Sequence, residues 1–77
     1  MNKVTKFQRN KLDTHTLILT LEKAVSDFCL PDELVAALDE ITKDWDCSKN
    51  EFYFYNIPDD LEDTYKEKLT EILEKYA

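Results

Sequence analysis

The chain has 77 residues, 43% of them hydrophobic and 35% charged, with a net charge of −7 and no glycine. That length fits one domain with a thin stability margin, because a chain this short buries only about 60% of the surface its unfolded form exposes; its apolar share still exceeds that of a disordered chain. The missing glycine excludes the phosphate-cradling loops of nucleotide enzymes, which need backbone without a Cβ beside the phosphate, and disfavours tight Asn-Gly or Asp-Gly hairpins.

Charge is unevenly placed. Residues 1–11 carry Lys3, Lys6, Arg9 and Lys11 and no acid, so the rest of the chain holds 6 bases against 17 acids, a balance of −11. An acidic body repels nucleic acid phosphates and attracts basic protein surfaces by long-range steering, so the expected partner is a basic protein and direct nucleic acid binding is not expected. Met1 is followed by polar residues, and no stretch approaches the ~20 apolar residues of a membrane span. No membrane partner and a cytoplasmic location are expected. Cys29 and Cys47 lack metal-ligand spacing and read as reduced thiols, buried or bystanders, without a disulfide or redox role.

In chain order, residues 1–12 read as a basic flexible arm and residues 13–77 as a single helical domain. Asp13 or Thr14 can cap a first helix over about 14–28, in which Leu17, Leu21, Ala24, Val25 and Phe28 recur at helical spacing. By propensity alone Thr16–Leu21 is also strand-like. Pro31 suits a helix first turn, Asp32 and Glu33 complement its dipole, and Leu34, Leu38, Ile41 and Trp45 give a second helix over about 31–45. Residues 46–50 read as a loop. The run Glu51-Phe52-Tyr53-Phe54-Tyr55-Asn56 is β-like by propensity but has no obvious partner strand, so a helical turn or irregular segment is equally compatible. After Pro58, Asp59 or Asp60 can cap a last helix with Leu61, Tyr65, Leu69, Ile72, Leu73 and Tyr76 on one stripe. The expected fold is therefore all-α, a small three- to four-helix bundle with a short aromatic third segment.

No enzyme chemistry is indicated. His15, the only histidine, has no nearby nucleophile and reads as an exposed residue at a helix start. The many carboxylates read as helix caps and a solvated face, with no EF-hand spacing, so no metal and no cofactor are expected. Consecutive aromatics cannot all face one core, because neighbouring side chains point to different faces. Some of Phe52 to Tyr55 should therefore be exposed beside acids, a composition suited to an interface. The candidate partner-binding residues are Asp39, Glu40, Asp44, Glu51, Tyr53, Phe54, Tyr55, Asp59 and Asp60.

The order of an acidic second helix, a polar loop, an acid followed by aromatics ending at Tyr55, then Pro58, further acids and a terminal helix resembles the immunity proteins of nuclease colicins and pyocins. The stretch Asp32-Glu33-Leu34-Val35, with Asp39, Glu40 and Ile41, is similar to that family's second helix, and Glu51 keeps the acid of its tyrosine motif. Tyr55 is identical to the motif, whereas Phe54 stands where the family has a tyrosine and the proline is displaced to Pro58. The resemblance implies a four-helix bacteriocin immunity protein that binds a toxin nuclease stoichiometrically and occludes it. Two other readings share the acidity: a phage or mobile-element inhibitor that mimics nucleic acid and blocks a host nucleic-acid-binding protein, and a regulatory module that forms homo-oligomers through its aromatic patch.

Overall fold

In the computed structural model, which describes residues 2–12, 15–25 and 30–77, the two-residue spacing of Leu17, Leu19 and Leu21 wins over helical spacing. The segment is a strand with Leu17, Leu19 and Leu21 buried on one face. The elements are β1 (Val4–Asn10), β2 (Thr16–Leu21), α1 (Asp32–Ile41), β3 (Trp45–Ser48), β4 (Glu51–Phe54), a 3-10 turn (Asp59–Leu61) and α2 (Glu62–Tyr76). Four antiparallel strands lie in the order β1-β2-β4-β3. Both helices contribute to the core on one face of this sheet.

This α+β sheet protein replaces the expected all-α bundle. The first helix over 14–28 is not formed: residues 16–21 are β2, and the capping role of Asp13 or Thr14 and the register of Phe28 lie outside the described residues, as does Cys29. The aromatic run finds its partners on both sides, since Leu17, Leu19 and Thr20 pair with Phe54, Phe52 and Glu51, and Trp45, Cys47 and Ser48 with the same three. The basic segment expected to be a flexible arm is edge strand β1, anchored at its start by Asn2, whose side chain exchanges hydrogen bonds of 3.0 and 2.9 Å with the backbone of Lys23.

Helix α1 forms where expected but is shorter. Pro31 stands at its N-cap (φ −56°), Asp32 and Glu33 occupy its first turn, and Thr42 ends it in extended conformation. The Thr42 hydroxyl accepts the amide of Asp44 at 3.1 Å, a local bond that competes with further helix and frees Trp45 to enter β3. Helix α2 follows a 3-10 turn, and neither Asp59 nor Asp60 makes a side-chain cap; Glu62 and Asp63 lie in its first turn, at the positive end of its dipole.

The core joins Leu17, Leu19 and Leu21 of β2, Phe52 and Phe54 of β4, Leu34 and Leu38 of α1, Leu69 and Leu73 of α2, and Ile57. Each such side chain contributes about 1.5–3 kcal/mol on burial. Rings of Trp45 and Phe52 stack at 6.1 Å, and those of Phe52 and Phe54 at 6.4 Å, so the inward face of β3 and β4 is one aromatic ledge. Cys47, paired with Phe52, sits half-buried on that face.

Among the described residues, His15 (φ 52°), Lys49 (φ 56°) and Asn56 (φ 57°) take a positive φ without being glycine. Lys49 and Asn50 connect the paired Ser48 and Glu51, and Asn50 is clamped to the end of β2 by Leu21 N–H to its carbonyl (2.7 Å) and by its own amide to the Leu21 carbonyl (2.9 Å). A left-handed residue with a Cβ costs about 1–2 kcal/mol. Lys49→Gly is therefore expected to stabilise the protein by about 0.5–1 kcal/mol, part of the gain being lost to the freer unfolded chain. Urea unfolding reads this as a higher midpoint at constant slope; a lower midpoint would mean that Lys49 holds the turn through its side chain.

Candidate functional site

The β-pleat splits the expected aromatic anchor in two. Phe52 and Phe54 point into the core and are fully buried, so Phe54 is a core residue and is corrected from its role as a contact for a partner. Tyr53 and Glu51 point to the opposite face of the sheet, which no element among the described residues covers. The Tyr53 hydroxyl donates to Glu51 at 2.9 Å. That bond, together with partial burial and neighbouring negative charge, holds the phenol above its ordinary pKa.

The other expected residues scatter over three regions. Asp39 and Glu40 are exposed on α1, and Asp39 accepts the Trp45 indole N–H at 2.8 Å, which ties the end of α1 to β3. At one end of the sheet, Asp44 accepts the Asn56 side-chain amide at 2.7 Å, and its carbonyl accepts the Tyr55 N–H at 2.9 Å. Asp59 and Asp60 lie exposed in the 3-10 turn, with Asp59 drawn across to β1. The nine residues thus form no single patch.

Asp59 belongs to an ion cluster around Arg9, which the sequence did not single out. Arg9 faces the helices from β1, only 8% of its side chain is exposed, and its Nη2 donates both to Asp59 and to the Ile57 carbonyl (2.6 Å). Its Nε lies 3.2 Å from Glu62 without the alignment of a hydrogen bond, and Nη1 has no hydrogen-bond partner among the described residues. Lys11 Nζ approaches Asp59 at 3.9 Å and His15 Nδ1 at 3.6 Å, the latter an ion pair only when the imidazole is protonated. His15 is exposed as expected, yet it stands immediately before β2, with a positive φ, and not on a helix. A shallow hollow of about 290 Å³ lies beside the cluster, lined by His15, Asn56, Ile57, Pro58 and Asp59.

The hydrogen bond from Arg9 holds the Asp59 carboxyl below the usual carboxylate range; Lys11, Arg9 and His15 add to it and desolvation opposes it. A folded-state pKa below the unfolded one stabilises the protein above the unfolded value of about 3.9. That contribution disappears as pH falls through the folded value. Asp59→Asn should accordingly be less stable than the parent at neutral pH, and the two should converge at acid pH in thermal melts. Parallel pH profiles would remove Asp59 from the acid limb.

Helix α1 presents a further surface, to which Glu40 alone of the expected binding residues belongs. Its ten residues include Asp32, Glu33, Asp39 and Glu40 and no base. Glu33, Ala36, Ala37 and Glu40, at i, i+3, i+4 and i+7, fall on one side of a helix, and with Tyr76 of α2 they line a groove of about 440 Å³. Two small apolar side chains, Ala36 and Ala37, lie between the two carboxylates along the helix, and Glu33, Ala36 and Glu40 are exposed. Lys75 lies over the Tyr76 ring, 5.2 Å from its centre. Among the described residues no cluster of three or more His, Cys, Asp or Glu is placed to hold a metal ion, and no helix is long and apolar enough to cross a membrane.

Comparison of the chain with protein-family models, with curated proteins and with solved structures finds no significant match.

Proposed function

We propose that this chain is a non-catalytic, cytoplasmic protein-binding inhibitor whose partner presents a basic surface, and that the α1 groove is where the partner docks. The observation that carries the reading is the pairing of Glu33 and Glu40 around Ala36 and Ala37 on a helix without a base. Small side chains let another helix or loop approach closely, while the flanking carboxylates select lysine and arginine and steer their arrival. Covering a basic surface denies it to nucleic acid phosphates, so occlusion suffices and no reaction is needed. This retains the binding chemistry of an immunity-type inhibitor of a toxin nuclease on a scaffold that differs from that family's helical bundle.

The test compares the immobilised protein with its Glu33→Lys/Glu40→Lys variant, both side chains being exposed and the fold checked by circular dichroism. A basic partner retained at low salt, released at high salt and lost on charge reversal supports the reading. Retention by the variant, or indifference to salt, defeats it.

The nucleic-acid-mimic reading has one observation in its favour: Asp63, Glu67 and Glu71 are exposed at four-residue intervals along α2, spacing carboxylates about 6 Å apart. Under that reading the protein competes with DNA for its partner, and Glu67→Lys/Glu71→Lys abolishes competition while the α1 variant does not.

A further inference from the structure

The sheet face opposite the helices bears side chains that are arranged as their own complement. Strand registers align them in rows across β1, β2, β4 and β3. The first row is Lys6, Thr20, Glu51, Ser48, the second is Gln8, Ile18, Tyr53, Asp46, and Asn10 with Thr16 begins a third. Paired residues share a face of a sheet, and this face is the one turned away from the buried leucines of β2. Lys6, Gln8 and Asn10 on the β1 side supply a cation and amide donors. Asp46 and Glu51 on the β3 and β4 side supply carboxylates, and half-buried Ile18 and Tyr53 lie between them.

We propose that this face binds a second copy of the same chain, through a twofold axis parallel to the strands and midway between β2 and β4. That rotation lays β1 of one copy over β3 of the other, and β2 over β4. Each Ile18 then meets the Tyr53 ring of the other copy, making two apolar contacts at the centre. Each Gln8 amide meets an Asp46 carboxylate. Lys6 lands over Ser48, one strand from Glu51 and within reach of a lysine side chain.

Tyr53 is already held over the face by its bond to Glu51, so little side-chain freedom is lost on docking. A wholly basic partner suits the face less well, because it would oppose Lys6. An isologous pair matches both signs, which is the self-complementarity a twofold interface requires. It also leaves the α1 groove free, so self-association and capture of a basic partner are separable.

Size sets the strength. Four strands about 4.8 Å apart and about five residues at about 3.4 Å give a footprint of roughly 300–400 Å² per copy. The total lies below the ~1,200 Å² of standard stable interfaces and in the class of weak, reversible association. Dimerisation is therefore expected in the range of about 10 µM to about 1 mM.

Sedimentation equilibrium of the full chain across that range should show the mass rising from 9.1 kDa towards twice that value. Gln8→Glu, a change of similar shape at an exposed position, sets a carboxylate against Asp46 of the other copy and should weaken the dimer by about tenfold or more. Adding Asp46→Lys to it should restore association. A chain that stays monomeric throughout overturns the proposal. So does a dimer that Gln8→Glu leaves unchanged, or one that Asp46→Lys does not rescue.

Discussion

Phe54→Ala should remove about 3–5 kcal/mol of stability, the cost of deleting a fully buried aromatic side chain and leaving a cavity. A domain of this length has only about 4–12 kcal/mol in total, so the variant is expected to be largely unfolded, or to melt tens of degrees lower, by circular dichroism. Phe54 has no exposed surface, its ring stacks on Phe52, and β4 lies between β2 and β3, so no neighbour can shift to fill the gap without disturbing the sheet. Its immediate neighbour is the contrast. Tyr53→Ala, on the uncovered face, should cost no more than about 1 kcal/mol, chiefly lost cross-strand contact with Ile18. Equal losses for the two would show that the pleat does not separate core from surface at this strand. A loss of partner affinity in Phe54→Ala alone would mark unfolding and not a lost contact.

Arg9→Ala is expected to cost about 2–3 kcal/mol in denaturant unfolding. Breaking a fully buried ion pair costs about 3–5 kcal/mol, but Asp59 and Glu62 keep 58% and 27% of their side chains exposed, and water recovers part of what they lose. The Ile57 carbonyl loses its donor as well. Arg9→Lys should recover only part of the loss, since a single ammonium cannot reach the Ile57 carbonyl, Asp59 and Glu62 with the geometry of a planar fork. The structural reason for the size of the effect is reach. Arg9 is the tie between edge strand β1 and the segment that leads from β4 into α2, elements separated by about fifty residues of chain. A loss below about 0.5 kcal/mol would reduce the cluster to an ordinary surface contact.

Part of the surface was legible from composition, and part was not. The acidity of α1, its first turn at Pro31 to Glu33, and the apolar stripe of α2 were readable because each is a local pattern within one helix. Phe54 was misplaced as a binding residue for lack of one fact, the parity of β4, which decides which of two adjacent aromatics faces inward. Arg9 carried no signal at all. One arginine among three lysines in a basic segment reads as a solvated arm, and only the approach of Asp59 and Glu62 from the far end of the chain turns it into a buried tie.

The sequence by itself determined which residues are apolar, where acids gather, and that positive-φ turns would have to be made without glycine; it also located both helices, after Pro31 and after Pro58, though not the end of α1, since Trp45 continues its period yet lies in β3. The tertiary structure decided the sheet. In Thr16–Leu21 a leucine at every second position satisfies a two-residue period, and Leu17 with Leu21 also satisfies a four-residue one, so the segment matched helix and strand alike. The aromatic run was strand-like but lacked a visible partner. Each ambiguity is the answer to the other: β2 supplies β4 with the neighbour it needs, and β4 supplies β2 with the backbone bonds a helix would otherwise have made internally. Such pairing is a contact between residues more than thirty positions apart, and no local period encodes it. The same pairing that makes the sheet buries Phe52 and Phe54 and turns Glu51 and Tyr53 outward, so it also decided which part of an acidic, aromatic segment is available to another molecule.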